Sequence, residues 1–86
     1  MRFAARVEVR LRPGIADPEG ATIERALPAL GFDDIAALSI GRCFRFELDA
    51  HSAQGALERA QALATRLLAN PVMEDAEVSV SALAGG

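Results

Sequence analysis

The sequence predicts an α+β fold: a βαββαβ two-layer sandwich with two helices on one face of a four-stranded, mainly antiparallel sheet. Three observations predict it. Apolar and polar residues alternate with period two over 3–12, 44–49 and 76–82. Two segments, near 18–30 and 53–69, repeat apolar residues at helical spacing. The chain has 86 residues, enough for one domain, expected over 1–83, with 84–86 a disordered tail.

The elements follow in order. Phe3, Ala5, Val7, Val9 and Leu11 point one way and Arg6, Glu8, Arg10 and Arg12 the other, a strand with one buried face that Pro13-Gly14 ends. Asp17 is placed to cap a helix that begins at Pro18, where a missing N–H costs nothing. Ile23, Ala26, Leu27 and Leu30 form its apolar stripe. Pro28 removes a bond to the Glu24 carbonyl and shortens or kinks the last turn, and Gly31 suits the left-handed closing position. Residues 35–40 read as a short strand with Leu38 and Ile40 inward, hairpinned through Gly41 to a second, in which Phe44, Phe46 and Leu48 alternate with Arg45, Glu47 and Asp49. Ser52 caps a helix over 53–69 with Ala53, Leu57, Ala60, Leu63, Ala64, Leu67 and Leu68 on one face, and Asn70-Pro71 stops it. Ala76, Val78, Val80 and Ala82 mark the last strand.

Two layers leave one sheet face open. The alternation gives it Arg6, Glu8, Arg10, Arg45 and Glu47 beside Ser39, Cys43, Ser79 and Ser81. Two readings fit: a solvated face with cross-strand charge pairs, or a surface that a partner protein covers.

Composition excludes several classes. The net charge is −3 and no basic stripe carries interleaved aromatics, so nucleic-acid binding lacks electrostatic support. A single Cys43 permits neither an internal disulfide nor a multi-cysteine zinc site. No apolar run approaches the roughly 20 residues of a membrane span, and the N-terminus lacks the apolar core of a signal peptide. A cytoplasmic setting is expected.

Catalytic chemistry is sparse. His51, the only histidine, has no neighbouring nucleophile or second histidine in the sequence, and general acid–base work needs a positioned partner. Cys43 lies within a strand, with nothing evident to lower its pKa. Asp33-Asp34 and Glu74-Asp75 fall at turns and supply too few oxygens for a hard cation. The glycines form neither GxGxxG nor GxxxxGK[ST]. Catalytic, cofactor-binding and metal-binding residues are therefore expected to be absent from this chain, and an accessory role follows.

Four segments carry a family resemblance: Val7 to Gly20, with its strand followed by Asp17-Pro18-Glu19-Gly20; Ala26-Leu27-Pro28-Ala29-Leu30-Gly31-Phe32; Ile40-Gly41-Arg42; and Leu67 to Asp75, LLANPVMED. In order and spacing they resemble the PurS family, the small subunit of phosphoribosylformylglycinamidine (FGAM) synthase. Pro28, and Arg42 where the family usually has Lys, depart from its pattern. The resemblance implies a subunit without catalytic residues in an ATP- and glutamine-dependent ligase of purine synthesis. It implies as partners a PurL-type synthetase, which uses ATP with Mg, and a PurQ glutaminase. It also implies a homodimer or homotetramer that helps ammonia pass between them. No nucleic acid or membrane partner is expected.

The motif positions Asp17, Pro18, Gly20, Gly41, Arg42, Asn70 and Pro71 are candidates for docking these partners. Each has a second reading as a cap, turn or stop. Two other functions remain in view: a ferredoxin-like domain that senses a small molecule, and an acylphosphatase-like hydrolase. The hydrolase needs an Arg beside a water-positioning Asn, and the only Asn is Asn70, at a helix end.

Overall fold

A computed structural model describes residues 1–84; the Gly85-Gly86 part of the expected tail lies outside the described residues. Strand β1 runs Arg2–Leu11, helix α1 Pro18–Ala26, strand β2 Gly41–Asp49, helix α2 Ala53–Leu63 and strand β3 Glu74–Ala82. The three strands form one antiparallel sheet in the order β2-β1-β3. Val7 sits opposite Phe44 on one side and Val78 on the other. Opposed residues share a face, so this register gathers the apolar residues of all three strands into one layer.

The core lies between that layer and α2. Ala56, Ala60 and Ala64 are fully buried against Phe3, Ala5, Val7, Val9 and Leu48. Small alanines let the helix approach the sheet closely, which suits a protein only 14 Å thick. Ser52 caps α2 by accepting the Gly55 N–H at 3.0 Å. After Leu63 the helix widens into a π turn over Ala64–Leu68 and ends at Ala69. Leu68 faces the core, whereas Leu67, expected inward, is exposed.

The sheet has three strands and not four. Residues 35–40 form no strand, and Gly41 opens β2 opposite Arg10 instead of turning a hairpin. The reason is local. The Leu38 N–H donates to Glu24 Oε1 and the Ile40 N–H to Asp17 Oδ2, so carboxylates take the donors a strand ladder would use. Ala37 at φ 58° breaks the extended run. Ser39 therefore lies in a loop and not on the open face, which the other expected residues do occupy.

The second departure concerns α1. Its capping is as expected: Asp17 accepts the Gly20 N–H and Pro18 opens the helix. Pro28 stops it, and a short 3-10 turn Pro28–Leu30 follows, closed by Gly31 at φ 94°. However, α1 does not lie on the sheet. Gly20 is its only buried residue, no α1 side chain joins either core cluster, and Ile23 and Leu30 are exposed. Residues 13–40 form an arm beyond the sheet–α2 body. The radius of gyration, 16.8 Å, reflects this; a compact chain of this length gives about 12 Å. The chain is 51 Å long.

Candidate functional site

The motif positions converge at the end of the sheet where the arm departs. Asp17 is the central clasp. Its Oδ1 accepts the Gly20 N–H at 2.9 Å and its Oδ2 the Ile40 N–H at 2.8 Å, tying the start of α1 to the loop that enters β2. These two bonds, that of Ile40 first, hold the Asp17 carboxyl below the usual carboxylate range. Glu24 makes a second clasp about two turns later through the Leu38 N–H at 2.9 Å.

Two glycines let the backbones meet here. A Cβ on Gly20 would stand 2.7 Å from Asp17 Oδ2 and 3.1 Å from the Leu38 carbonyl oxygen. A Cβ on Gly41 would stand 2.7 Å from the Val9 carbonyl oxygen. At Gly41 the obstacle is backbone, so glycine is required by space, whereas at Gly20 a Cβ would push the Asp17 carboxylate off its two bonds.

Arg42 ties the two outer strands together across β1. Its Nη2 lies 3.0 Å from Glu74 Oε1 and 3.1 Å from Oε2, with the Leu68 carbonyl at 3.4 Å. The guanidinium also covers the Phe44 ring at 5.8 Å. Glu74 Oε1 additionally accepts the Asn70 N–H at 2.8 Å. Asn70 Oδ1 accepts the Val72 N–H, which shapes the turn into β3, and Arg12 Nη2 donates to the Pro71 carbonyl at 2.6 Å. Asp17, Gly41, Arg42 and Glu74 line a shallow hollow of about 230 Å³. Gly20 adjoins it, while Asn70 and Pro71 reach it through Glu74 and Arg12.

Every candidate thus has a structural partner. Glu24, Glu74 and Arg12 complete the cluster, yet sequence reasoning did not single them out. Glu74 was legible as part of LLANPVMED but resembled a solvated turn acid. Glu24 was hidden because a loop donor 14 residues away leaves no pattern.

The arrangement offers surfaces more than chemistry. His51 is exposed, beside a hollow of about 450 Å³ that Met1, Ala50 and Gly55 also line. Cys43 is exposed on the open face and accepts an N–H from Arg6 Nε at 3.4 Å. Among the described residues, no group of three or more His, Cys, Asp or Glu could hold a metal ion, and no helix is long and apolar enough to cross a membrane. The arm shows Ile23, Leu30, Phe32 and Ile35 to solvent, with Leu30 71% and Phe32 52% exposed. The open face carries a lattice of ion pairs, among them Arg2–Asp49 at 3.2 Å and Arg10–Glu77 at 3.0 Å.

The family model described as PurS, phosphoribosylformylglycinamidine (FGAM) synthase, matches residues 4–82. The chain belongs to the PurS family. It is 35% identical to the PurS subunit of FGAM synthase from Methanothermobacter thermautotrophicus over 99% of this chain and all of that one. The crystal structure of PurS from Methanocaldococcus jannaschii superposes with a TM-score of 0.83 at 31% identity, covering 94% of this chain and 98% of that one. A chain in the structure of PurLQS from Thermotoga maritima gives a TM-score of 0.86 at 31% identity, covering 94% and 99%. The PurS subunit is a component of FGAM synthase, a ligase complex of purine biosynthesis, and this chain is its PurS subunit.

Proposed function

We propose that the chain is a non-catalytic assembly subunit that docks to a PurL-type synthetase and a PurQ-type glutaminase, itself as a homodimer or homotetramer. In this reading residues 1–83 act as one docking unit. The reaction converts formylglycinamide ribonucleotide, ATP and glutamine to FGAM, ADP, phosphate and glutamate on the partner subunits. ATP with Mg serves the synthetase, and this chain supports passage of ammonia from the glutaminase. The family's biosynthetic role supports a cytoplasmic setting.

One observation carries the reading: the arm of residues 13–40 is braced internally by the Asp17 and Glu24 clasps, yet its Ile23, Leu30, Phe32 and Ile35 side chains stay exposed. A loose apolar loop would be an aggregation hazard, whereas a clasped one is a prepared contact surface. The candidates Asp17, Pro18, Gly20, Gly41, Arg42, Asn70 and Pro71 contribute by fixing the angle at which the arm leaves the sheet.

The test is co-expression with the synthetase and glutaminase of the same source, followed by affinity capture and light scattering. Recovery of a three-component complex, with the free chain an oligomer, is the expected result. A strict monomer that captures neither protein would overturn the reading.

A further inference from the structure

At the end of the sheet opposite the arm lies the hollow of about 450 Å³, which the docking role leaves unused. Met1, Ala50 and Gly55 give it an apolar lining, and His51, Glu58 and Arg59 stand beside them. Its volume falls within the range of small-molecule sites. We propose that this hollow binds a free aliphatic α-amino acid, with the ammonium held by Glu58 and the carboxylate by Arg59 and His51.

Gly55 is the observation that points to a ligand. It lies in the first turn of α2, with helical backbone and no positive φ. A Cβ there would meet Ser52 Oγ at 3.4 Å and Ala50 Cβ at 3.9 Å, both ordinary contacts. Neither the backbone nor the packing therefore asks for glycine. In a helix glycine is less stable than alanine, because its unfolded chain has more freedom to lose. What the missing side chain leaves is open space in the wall of the hollow. Gly20 and Gly41 differ, since a Cβ at either would stand 2.7 Å from its nearest atom.

The charges select the class of ligand. Asp49, which also lines the hollow, is already answered: Arg2 pairs with its carboxylate at 3.2 Å, and Arg59 Nη1 donates to its carbonyl. That second bond anchors Arg59 at the hollow through one nitrogen. Neither Arg59 nor Glu58 forms an ion pair among the described residues. Glu58 Oε1 accepts only the neutral Gln54 Nε2, at 3.2 Å. His51 is exposed beside them and can donate from its ring. The hollow thus offers one unanswered carboxylate and one unanswered guanidinium. An α-amino acid carries the two complementary charges on a single carbon. A simple carboxylate or phosphate would bring an anion to Glu58, and a simple amine would bring a cation to Arg59. The apolar lining then takes an aliphatic side chain, for which Gly55 leaves the room.

L-leucine is the probe, titrated into the full chain and followed by backbone amide shifts. Saturable shifts centred on residues 49–59 are the expected result. Isocaproate and isopentylamine, which each keep one of its two charges, should bind roughly fivefold more weakly or worse. Gly55→Ala is the decisive variant, because its two effects have opposite signs. It should raise Tm by about 2–6 °C, as a helical glycine with room for a methyl group does. It should also weaken leucine binding by roughly fivefold or more, by filling the wall. Glu58→Gln should weaken leucine binding by a similar factor while leaving isocaproate binding no weaker. No shift at up to about 20 mM leucine, well above a Kd of about 1 mM, would overturn the proposal. So would a Gly55→Ala variant that melts lower or binds leucine unchanged. Isocaproate binding as tightly as leucine would refute recognition of both charges. Capture by the synthetase reads the docking role alone, so the two proposals fail separately.

Discussion

Replacing Arg42 by alanine separates a structural brace from a docking residue. In the structure Arg42 is a brace. Its side chain is 57% exposed while Glu74, its partner, is 16% exposed. A half-exposed ion pair is screened, so it contributes about 0.5–1 kcal/mol. The contact with the Phe44 ring adds roughly 0.5 kcal/mol at an exposed site. Glu74 keeps the Asn70 N–H, so removing Arg42 does not orphan its charge. The expected cost of Arg42→Ala is therefore about 1–1.5 kcal/mol, or a fall of roughly 5–10 °C in Tm for a chain of this size. Arg42→Lys should lose about half as much, since an ammonium reaches Glu74 but cannot cover the ring as a guanidinium does. Glu74→Gln combined with Arg42→Ala should cost less than the sum of the two singles. Thermal melts of the four variants measure this, with capture by the synthetase as the parallel assay. Unchanged melting together with lost capture would refute the brace and show that Arg42 meets the partner directly.

Gly41→Ala drives a Cβ to 2.7 Å from the Val9 carbonyl oxygen and should destabilise by roughly 1–3 kcal/mol; denaturant melts measure it, and a neutral or stabilising change would contradict the close approach. The Asp17 clasp should respond to acid. Its folded pKa is depressed by the Ile40 and Gly20 N–H groups, so its contribution is complete above the ordinary aspartate value and is lost as pH falls through the folded one. Amide exchange of Ile40 should then be steady from about pH 7 to about pH 5 and quicken relative to its intrinsic rate below about pH 4, and a flat protection profile would remove the clasp. Leu30→Ser with Phe32→Ser alters exposed side chains, so the Tm of the isolated chain should move little. Capture by the synthetase or glutaminase should fall at least tenfold; retained capture would show that the arm is not the contact.

Pattern reasoning read the periodic parts of this fold well. The period-two alternation of Phe3 to Leu11 and of Phe44 to Leu48 carried into β1 and β2, because each strand has one face on the core and one in water. Asp17, Ser52, Gly31 and Pro28 behaved as local chemistry dictates. Residues 35–40 misled because Ile35, Leu38 and Ile40 look like strand residues, whereas distant carboxylates take their backbone donors. The stripe on α1 misled for another reason. Ile23, Ala26, Leu27 and Leu30 mark an apolar surface correctly, but a periodic stripe does not say whether its cover comes from the same chain. The candidate site was legible as a set of motif positions; that Arg42 reaches Glu74 across a whole strand was not.

The arm is apolar and prepared by clasps, so contact with it gains from desolvation. A chain 14 Å thick with one helix on its sheet has little core of its own. Small domains of this kind gain their remaining burial by association. In this protein the stripe on α1 is left outside the core, so under the proposed docking role the residues that would have finished the core are the ones that recruit.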